Sequence, residues 1–340
     1  MSAPSAAPVL DLIEAFRRSK TMFAAVALGV FDRLERKPAA AADLASELGA
    51  DPDALERLLD ACRSLGLLRR DEAVYALTPV SAEYLCRSSP RALTGYIRFS
   101  NRILYAMWGN LEDAVREGTH RWKQTFALEG ALFSHFFNTD ESMREFIAGM
   151  HGFGLVSSPA VVAGLDLAPF RRMVDVGGAT GHLAIAACRR WPELRATVFD
   201  LPNVIEAVRG HAASSGLGER LGFAAGDFFT DPLPEGDLYA LGRIVHDWGE
   251  EKIRPLLVKI HGRLPAGGGL LLAERLLDDD KAGPVSAHMQ SLNMLVCAEG
   301  KERSEAEYCA LLEAAGFVAV TACRTGLPVD GLLARKPPLE

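Results

Sequence analysis

The chain has 340 residues, 49% of them hydrophobic and 24% charged, with a formal net charge of −7 and a pI of about 5.7. This is the composition of an ordinary soluble globular protein, with apolar content for a buried core and length for more than one domain. The acidic balance speaks against a general nucleic-acid binder, which would carry a basic face.

No run of about 18 uninterrupted apolar residues occurs, so no membrane span is expected. The start, "MSAPSAAPVL", lacks the basic region and apolar run of a signal peptide. Six cysteines are scattered at Cys62, Cys86, Cys188, Cys297, Cys309 and Cys323 without a C-x-x-C pair, which signals neither zinc nor a redox motif. That usage fits a reducing cytosol, and a cytoplasmic location is expected.

Residues 1–95 read as a first domain. "LIEAFRRSKTMFAAVALGVFDRL" has apolar residues at helical spacing, and "AAADLASELGADPDALERLLDACRSLGLL" reads as two helices split by "GADP". "RRDEAVYALTPVSAEYL" then suggests two short extended pieces and a small helix. Helices followed by a hairpin form a winged-helix pattern. A DNA-binding or ligand-sensing regulator is one reading; with the acidic balance and an enzyme-like second half, a dimerisation or packing domain is the better one. Residues 96–165 stay helical and rich in aromatics, from Tyr96 to Phe153, and form a linker whose rings pack in the core or wall a site for a flat ligand.

From residue 166 to the end the pattern is α/β. Strands "RMVDV", "RATVFD", "LGFAAGD", "DLYALGRIVH" and "GGLLLAER" alternate with helices, followed by "FVAVTAC" and "GLLARK" with no helix between them. This predicts a Rossmann-like, seven-stranded, mostly parallel sheet whose final strand is antiparallel.

"MVDVGGATG" is a strand, a glycine turn and a helix start. It fails the dinucleotide pattern G-x-G-x-x-G and fits D-x-G-x-G-x-G with Ala179 in place of the middle glycine. It resembles the loop of S-adenosylmethionine-dependent methyltransferases. Gly177 and Gly181 would let the backbone approach a ligand, and Asp175 would bind its amino group directly or through water. Asp200 ends the second strand, where an acid accepts ribose hydroxyls, and Asp227 ends the third, beside Phe228. One acid at a strand end is usually a turn or cap residue; three in succession are a stronger signal.

His246 follows the fourth strand in "RIVHDW". An imidazole there suits the removal of a hydroxyl proton near neutral pH, against the alternative of a surface turn histidine. Asp247 with Glu250 looks like a capping box that opens the next helix.

Together "DVGGATG", "VFDLP", "GDFFTDPLPEGDLYALGRIVHDW", "GGGLLLAERLLDDD", "SLNMLVCAEGKERS" and "GLLARK" resemble the plant-type family of small-molecule O-methyltransferases, from about residue 20 to the end. The resemblance implies that His246 is the catalytic base and that Glu274 and Glu302 flank and orient it. It implies cofactor contacts at Gly226, Asp227, Phe228, Asp200 and Arg243, and substrate positions at Asp247, Asn293, Met294 and Cys297. It implies S-adenosylmethionine as cofactor and S-adenosylhomocysteine as product, no metal, and a homodimer interlocked through the N-terminal domain. Phe137 stands where animal members carry a cofactor-contacting tyrosine, and Cys297 where they carry a glutamine near the substrate. The acceptor is left open among hydroxyindoles, phenols and aromatic secondary metabolites. Hydroxylation, decarboxylation and pericyclic chemistry, known among wider relatives, are the alternative activities.

Overall fold

The structure, a computed structural model, describes residues 4–338. It divides after Tyr105 into two compact units.

The first unit begins with helices Ala7–Leu28 and Val30–Arg36, parted at Gly29, whose φ of +79° is costly for a residue with a Cβ. Helices Ala41–Leu48 and Pro52–Ser64 are split at the expected "GADP". Gly49 closes the first in a left-handed conformation, and Asp51 caps the second by accepting the Ala54 amide at 2.9 Å. Strands β1 (Ala39–Ala40), β2 (Leu68–Asp71) and β3 (Val74–Leu77) form an antiparallel sheet in the order β1-β3-β2. Val30, Phe31, Leu44, Leu55, Leu59 and Tyr75 fill the core. In "MFAAVALGVF", Ala25, Val26, Val30 and Phe31 are also buried in this core. The apolar face left exposed lies earlier, at Val9, Leu10, Leu12, Ile13 and Phe16.

The second unit is built on a seven-stranded sheet. Its strands are β4 (Arg172–Val176), β5 (Arg195–Asp200), β6 (Leu221–Ala225), β7 (Leu238–Gly242), β8 (Gly269–Glu274), β11 (Val318–Cys323) and β12 (Asp330–Arg335), in the order β11-β12-β8-β7-β4-β5-β6. Two-residue strands β9 (Leu276–Leu277) and β10 (Arg303–Ser304) pair in parallel beside it. The five strands from β8 to β6 are parallel, and β12 is antiparallel to both its neighbours, as the missing helix predicts. Leu270, Leu271 and Leu272 of β8 are fully buried, each contributing about 1.5–3 kcal/mol by leaving water. The chain runs β4, β5, β6 to one side, then returns to lay β7 against the other side of β4. That reversal is where open α/β sheets bind ligands.

The fourth strand is shorter than the sequence suggests. It ends at Gly242, because Arg243 takes a left-handed φ of +58°, and Val245–Asp247 form a single 3-10 turn. The capping box is also absent. Gly249 is the N-cap of helix Glu250–Arg263, without a side-chain cap, and Asp247 lies inside the turn before it. Helix Asp140–Ala163 is long and apolar enough, by length and composition, to cross a membrane. Its buried side includes Val161 and Val162, which belong to the core beneath the sheet.

Candidate active site

The carboxyl ends of the five parallel strands gather the polar residues singled out from sequence. After β4, the loop 177–181 turns on Gly177 and Gly181, at φ of +68° and +74°. A Cβ at Gly177 would lie 2.5 Å from Ile244 Cδ1, and one at Gly181 2.7 Å from a Val198 methyl, so both positions need glycine for space as well as conformation. Ala179 adopts φ of +46°, a region that favours the glycine it replaces. Asp175 lies beneath this loop. Its Oδ2 accepts the Ala184 amide at 3.2 Å, and a Cβ on Gly178 would lie 2.6 Å from its carboxyl carbon. Burial pushes its pKa up to about 7.

Asp200, ending β5, accepts the amides of Ala179 at 2.9 Å and Leu201 at 2.7 Å, so the second strand end is tied to the glycine loop. Burial lifts its pKa to about 6 against the pull of those two amides. After β6, Gly226 donates its amide to Asp200 O at 2.9 Å, and a Cβ there would strike the Phe199 ring at 2.6 Å. Asp227 closes the next turn by accepting the Phe229 amide at 2.8 Å. Phe228 reaches back over the loop: a Cβ at Gly177 would sit 3.5 Å from its ring. Lys259, a residue sequence reasoning did not single out, holds this turn from helix Glu250–Arg263. Its Nζ donates to the carbonyls of Phe228 at 2.9 Å, Phe229 at 3.2 Å and Asp231 at 2.6 Å.

After β7, Arg243 stacks its guanidinium 5.0 Å from the centre of the Phe153 ring, and among the described residues its buried Nη1 has no hydrogen-bond partner. His246 follows, 3% exposed. Its Nδ1 lies 2.7 Å from Glu302 Oε1 and 3.5 Å from Glu274 Oε2, both glutamates being at most 1% exposed. Glu274 ends β8 and accepts the amides of Ile244 at 3.1 Å and Val245 at 2.8 Å, which fixes the turn carrying the histidine. Glu302 arrives on the loop before β10. Gly300 makes its approach possible, since a Cβ there would lie 2.4 Å from His246 O. Among the described residues, Oε2 of each glutamate has no hydrogen-bond partner.

Two carboxylates at Nδ1 place the ring proton there and leave Nε2 as the basic nitrogen. Nε2 faces Asp247, whose Oδ1 is 3.5 Å away. Burial alone would depress the imidazole, but Glu302, Glu274 and Asp247 together outweigh it and lift its pKa to about 9. Burial, with repulsion from Glu302, pushes Glu274 up as well, while His246 opposes it. The donor atoms of His246, Glu274 and Glu302 lie within 4.8 Å of one another, a spacing that a cation could also use.

Helix Val285–Cys297 supplies the remaining expected positions. Trp108 Nε1 donates to Asn293 Oδ1 at 2.9 Å, and Asn293 Nδ2 points at the Cys297 sulfur, 3.6 Å away. Met294 and Cys297 are buried, and burial raises the Cys297 thiol far above its usual value, so it stays protonated. Trp122 Nε1 donates to the Cys297 carbonyl at 2.8 Å and packs edge-on to Phe136 at 4.9 Å. Phe137 joins Met143, Ile147, Val204, Val208 and Ala179 in a separate apolar cluster.

Residues 108–318 match the model of the O-methyltransferase domain, and residues 10–87 that of the O-methyltransferase dimerisation domain. The chain belongs to the O-methyltransferase family. Acetylserotonin O-methyltransferase of Bos taurus is 41% identical over 328 residues, covering 94% of this chain and 95% of that one. The crystal structure of human N-acetylserotonin methyltransferase in complex with SAM superposes with a TM-score of 0.94 at 38% identity, over 99% of each chain. The structure described as PigF with SAH does so at 0.88 and 28% identity, over 98% of this chain and 100% of that one. The geometry suits such a cofactor. Gly177, Gly178 and Gly181 leave no room for a Cβ, acids stand at the end of β5 (Asp200) and just after β6 (Asp227), and among the described residues Arg243 keeps a buried nitrogen without a partner.

Proposed function

We propose that this S-adenosylmethionine-dependent O-methyltransferase methylates a hydroxyl of a small aromatic acceptor, with His246 as general base. The observation that carries the reading is the 2.7 Å contact between His246 Nδ1 and the buried Glu302. It leaves Nε2 to take the acceptor's hydroxyl proton, while Glu302 and Glu274 compensate the charge that forms. S-adenosylmethionine, when bound, supplies a methyl group already activated by its sulfonium. The chain's task is alignment and proton removal, and alignment alone lowers such barriers by about 7–11 kcal/mol in favourable cases.

In this reading Asp200 accepts the ribose hydroxyls, Asp227 and Phe228 recognise the adenine, and Gly177, Gly181, Gly226 and Arg243 complete the cofactor site with Asp175 beneath the loop. Asp247, Asn293, Met294 and Cys297 face the acceptor. The intact His246, Glu274 and Glu302 favour methyl transfer over hydroxylation, decarboxylation or pericyclic chemistry, and over a ligand-sensing regulator. No metal takes part. Two copies associate through the dimerisation domain, whose exposed Val9–Phe16 face supports that assembly. Six cysteines held as free thiols support a cytoplasmic location.

The test is a mass-shift screen of hydroxyindoles, phenols and aromatic metabolites with methyl-labelled S-adenosylmethionine, run with and without chelator. A mass gain of one labelled methyl on a hydroxyl, unchanged by chelator, is expected. Loss of activity on chelation would put a cation at the His246 cluster, and methylation of nitrogen or carbon alone would refute O-methylation.

A further inference from the structure

The helix Asp140–Ala163 meets the cofactor loop along one stripe. His151, Gly154 and Ser158 stand at positions i, i+3 and i+7, which share a helix face. Opposite them is His182, the first residue of helix His182–Arg190 and the residue that follows Gly181 of the glycine loop. Gly154 is the notch that admits the histidine ring: a Cβ there would lie 2.2 Å from His182 Cγ and 2.3 Å from Nδ1. Ser158 Oγ tethers the seated ring at 2.9 Å from Nδ1. One helix turn before Gly154, His151 Nδ1 lies 2.8 Å from Thr180 Oγ1, inside the loop itself. Phe153, beside the notch, carries the Arg243 guanidinium. The stripe therefore touches the loop and the residue after it, and Phe153 beside it reaches the neighbouring strand end.

Burial drives the His182 pKa down to about 3, and the neighbouring His151 and Arg243 push the same way. The ring is neutral at any working pH, so its hold on the loop is one of shape and hydrogen bonding and does not titrate. The Ser158 contact at Nδ1 is the ring's polar anchor.

We propose that His182 is a positioning residue for the cofactor: seated at Gly154 and tethered by Ser158, it locks the loop 177–181 against helix Asp140–Ala163 in the geometry that binds S-adenosylmethionine. A flexible glycine loop must otherwise lose conformational freedom when the ligand binds, and a loop already fixed avoids that loss.

The test is calorimetric binding of S-adenosylhomocysteine, read together with melting temperature and steady-state kinetics. For His182→Ala, affinity should fall about tenfold, as for a lost tether and its packing. KM for S-adenosylmethionine should rise in step while kcat stays within about twofold, the pattern of lost ground-state binding. Ser158→Ala should weaken binding about threefold. His182→Asn, which keeps a polar atom near Nδ1, should recover most of the loss. If His182→Ala does not fold, Ser158→Ala and Gly154→Ala, which expels the ring, carry the same measurement. A lower melting temperature with unchanged affinity would make His182 structural only and overturn the proposal, as would a fall in kcat at constant KM. Failure of the unaltered protein to bind S-adenosylhomocysteine would instead overturn the cofactor assignment.

Discussion

Replacing Glu302 by glutamine removes a charge from Nδ1 of His246 and keeps the size of the side chain. The carboxylates around this imidazole are what raise its pKa to about 9, and it accepts a proton only when neutral. In the unaltered enzyme, kcat/KM should therefore climb with pH and level off above about 9. In Glu302→Gln the imidazolium loses support, the imidazole pKa falls, and the rising limb moves to lower pH. The plateau should drop by less than the about 10²–10⁴ that the base itself supplies. A pH–rate profile with an unmoved limb would show that Glu302 does not act on His246. At this scale the position of an acid at or just after a strand end was legible in the pattern for Asp200 and Asp227, while Glu274 entered only through the family resemblance. It misled at Asp247. The spacing to Glu250 imitates a cap, but Gly249 takes the N-cap, which leaves the Asp247 carboxylate beside His246 Nε2. It was silent on His182, Gly154 and Gly300, whose roles are set by neighbours distant in the chain.

At the scale of elements, the turn after β6 is held by Lys259, three of whose hydrogen bonds go to backbone carbonyls of residues 228, 229 and 231. Lys259→Met keeps the apolar stem and removes those bonds. Binding of S-adenosylhomocysteine should weaken about tenfold in calorimetry, with kcat little changed. Unchanged affinity would mean that the turn is held without Lys259, by Asp227 and by Asp231, whose Oδ2 accepts the Asp227 amide at 2.9 Å. The strands were legible because the parallel sheet buries both faces and writes continuous apolar runs, such as "GGLLLAER". The two-residue strands β1, β9 and β10 are too short to show any period. The fourth strand was read too long because "RIVH" is apolar enough to extend it, while the left-handed backbone at Arg243 ends it.

For the whole molecule, the N-terminal domain was legible as helices and a hairpin, and helical spacing alone does not say which apolar residues of its first helix face solvent. Ala25, Val26, Val30 and Phe31 of "MFAAVALGVF" pack in the domain's own core while Leu28 stays exposed, and Val9, Leu10, Leu12, Ile13 and Phe16 form the apolar face that a second copy would cover. Light scattering at micromolar concentration should give about twice the 36.7 kDa chain mass. Ile13→Asp with Phe16→Asp should bring it to one chain, and an unaltered protein that is monomeric and fully active would exclude the dimer. Methyl transfer by this chain turns on the base. His246→Ala should bind S-adenosylhomocysteine with unaltered affinity by calorimetry and lose about 10²–10⁴ in turnover on an unactivated phenol. The deficit should shrink as the acceptor phenol is made more acidic. Near-normal turnover on the unactivated phenol, or a loss traced wholly to failed cofactor binding, would contradict it.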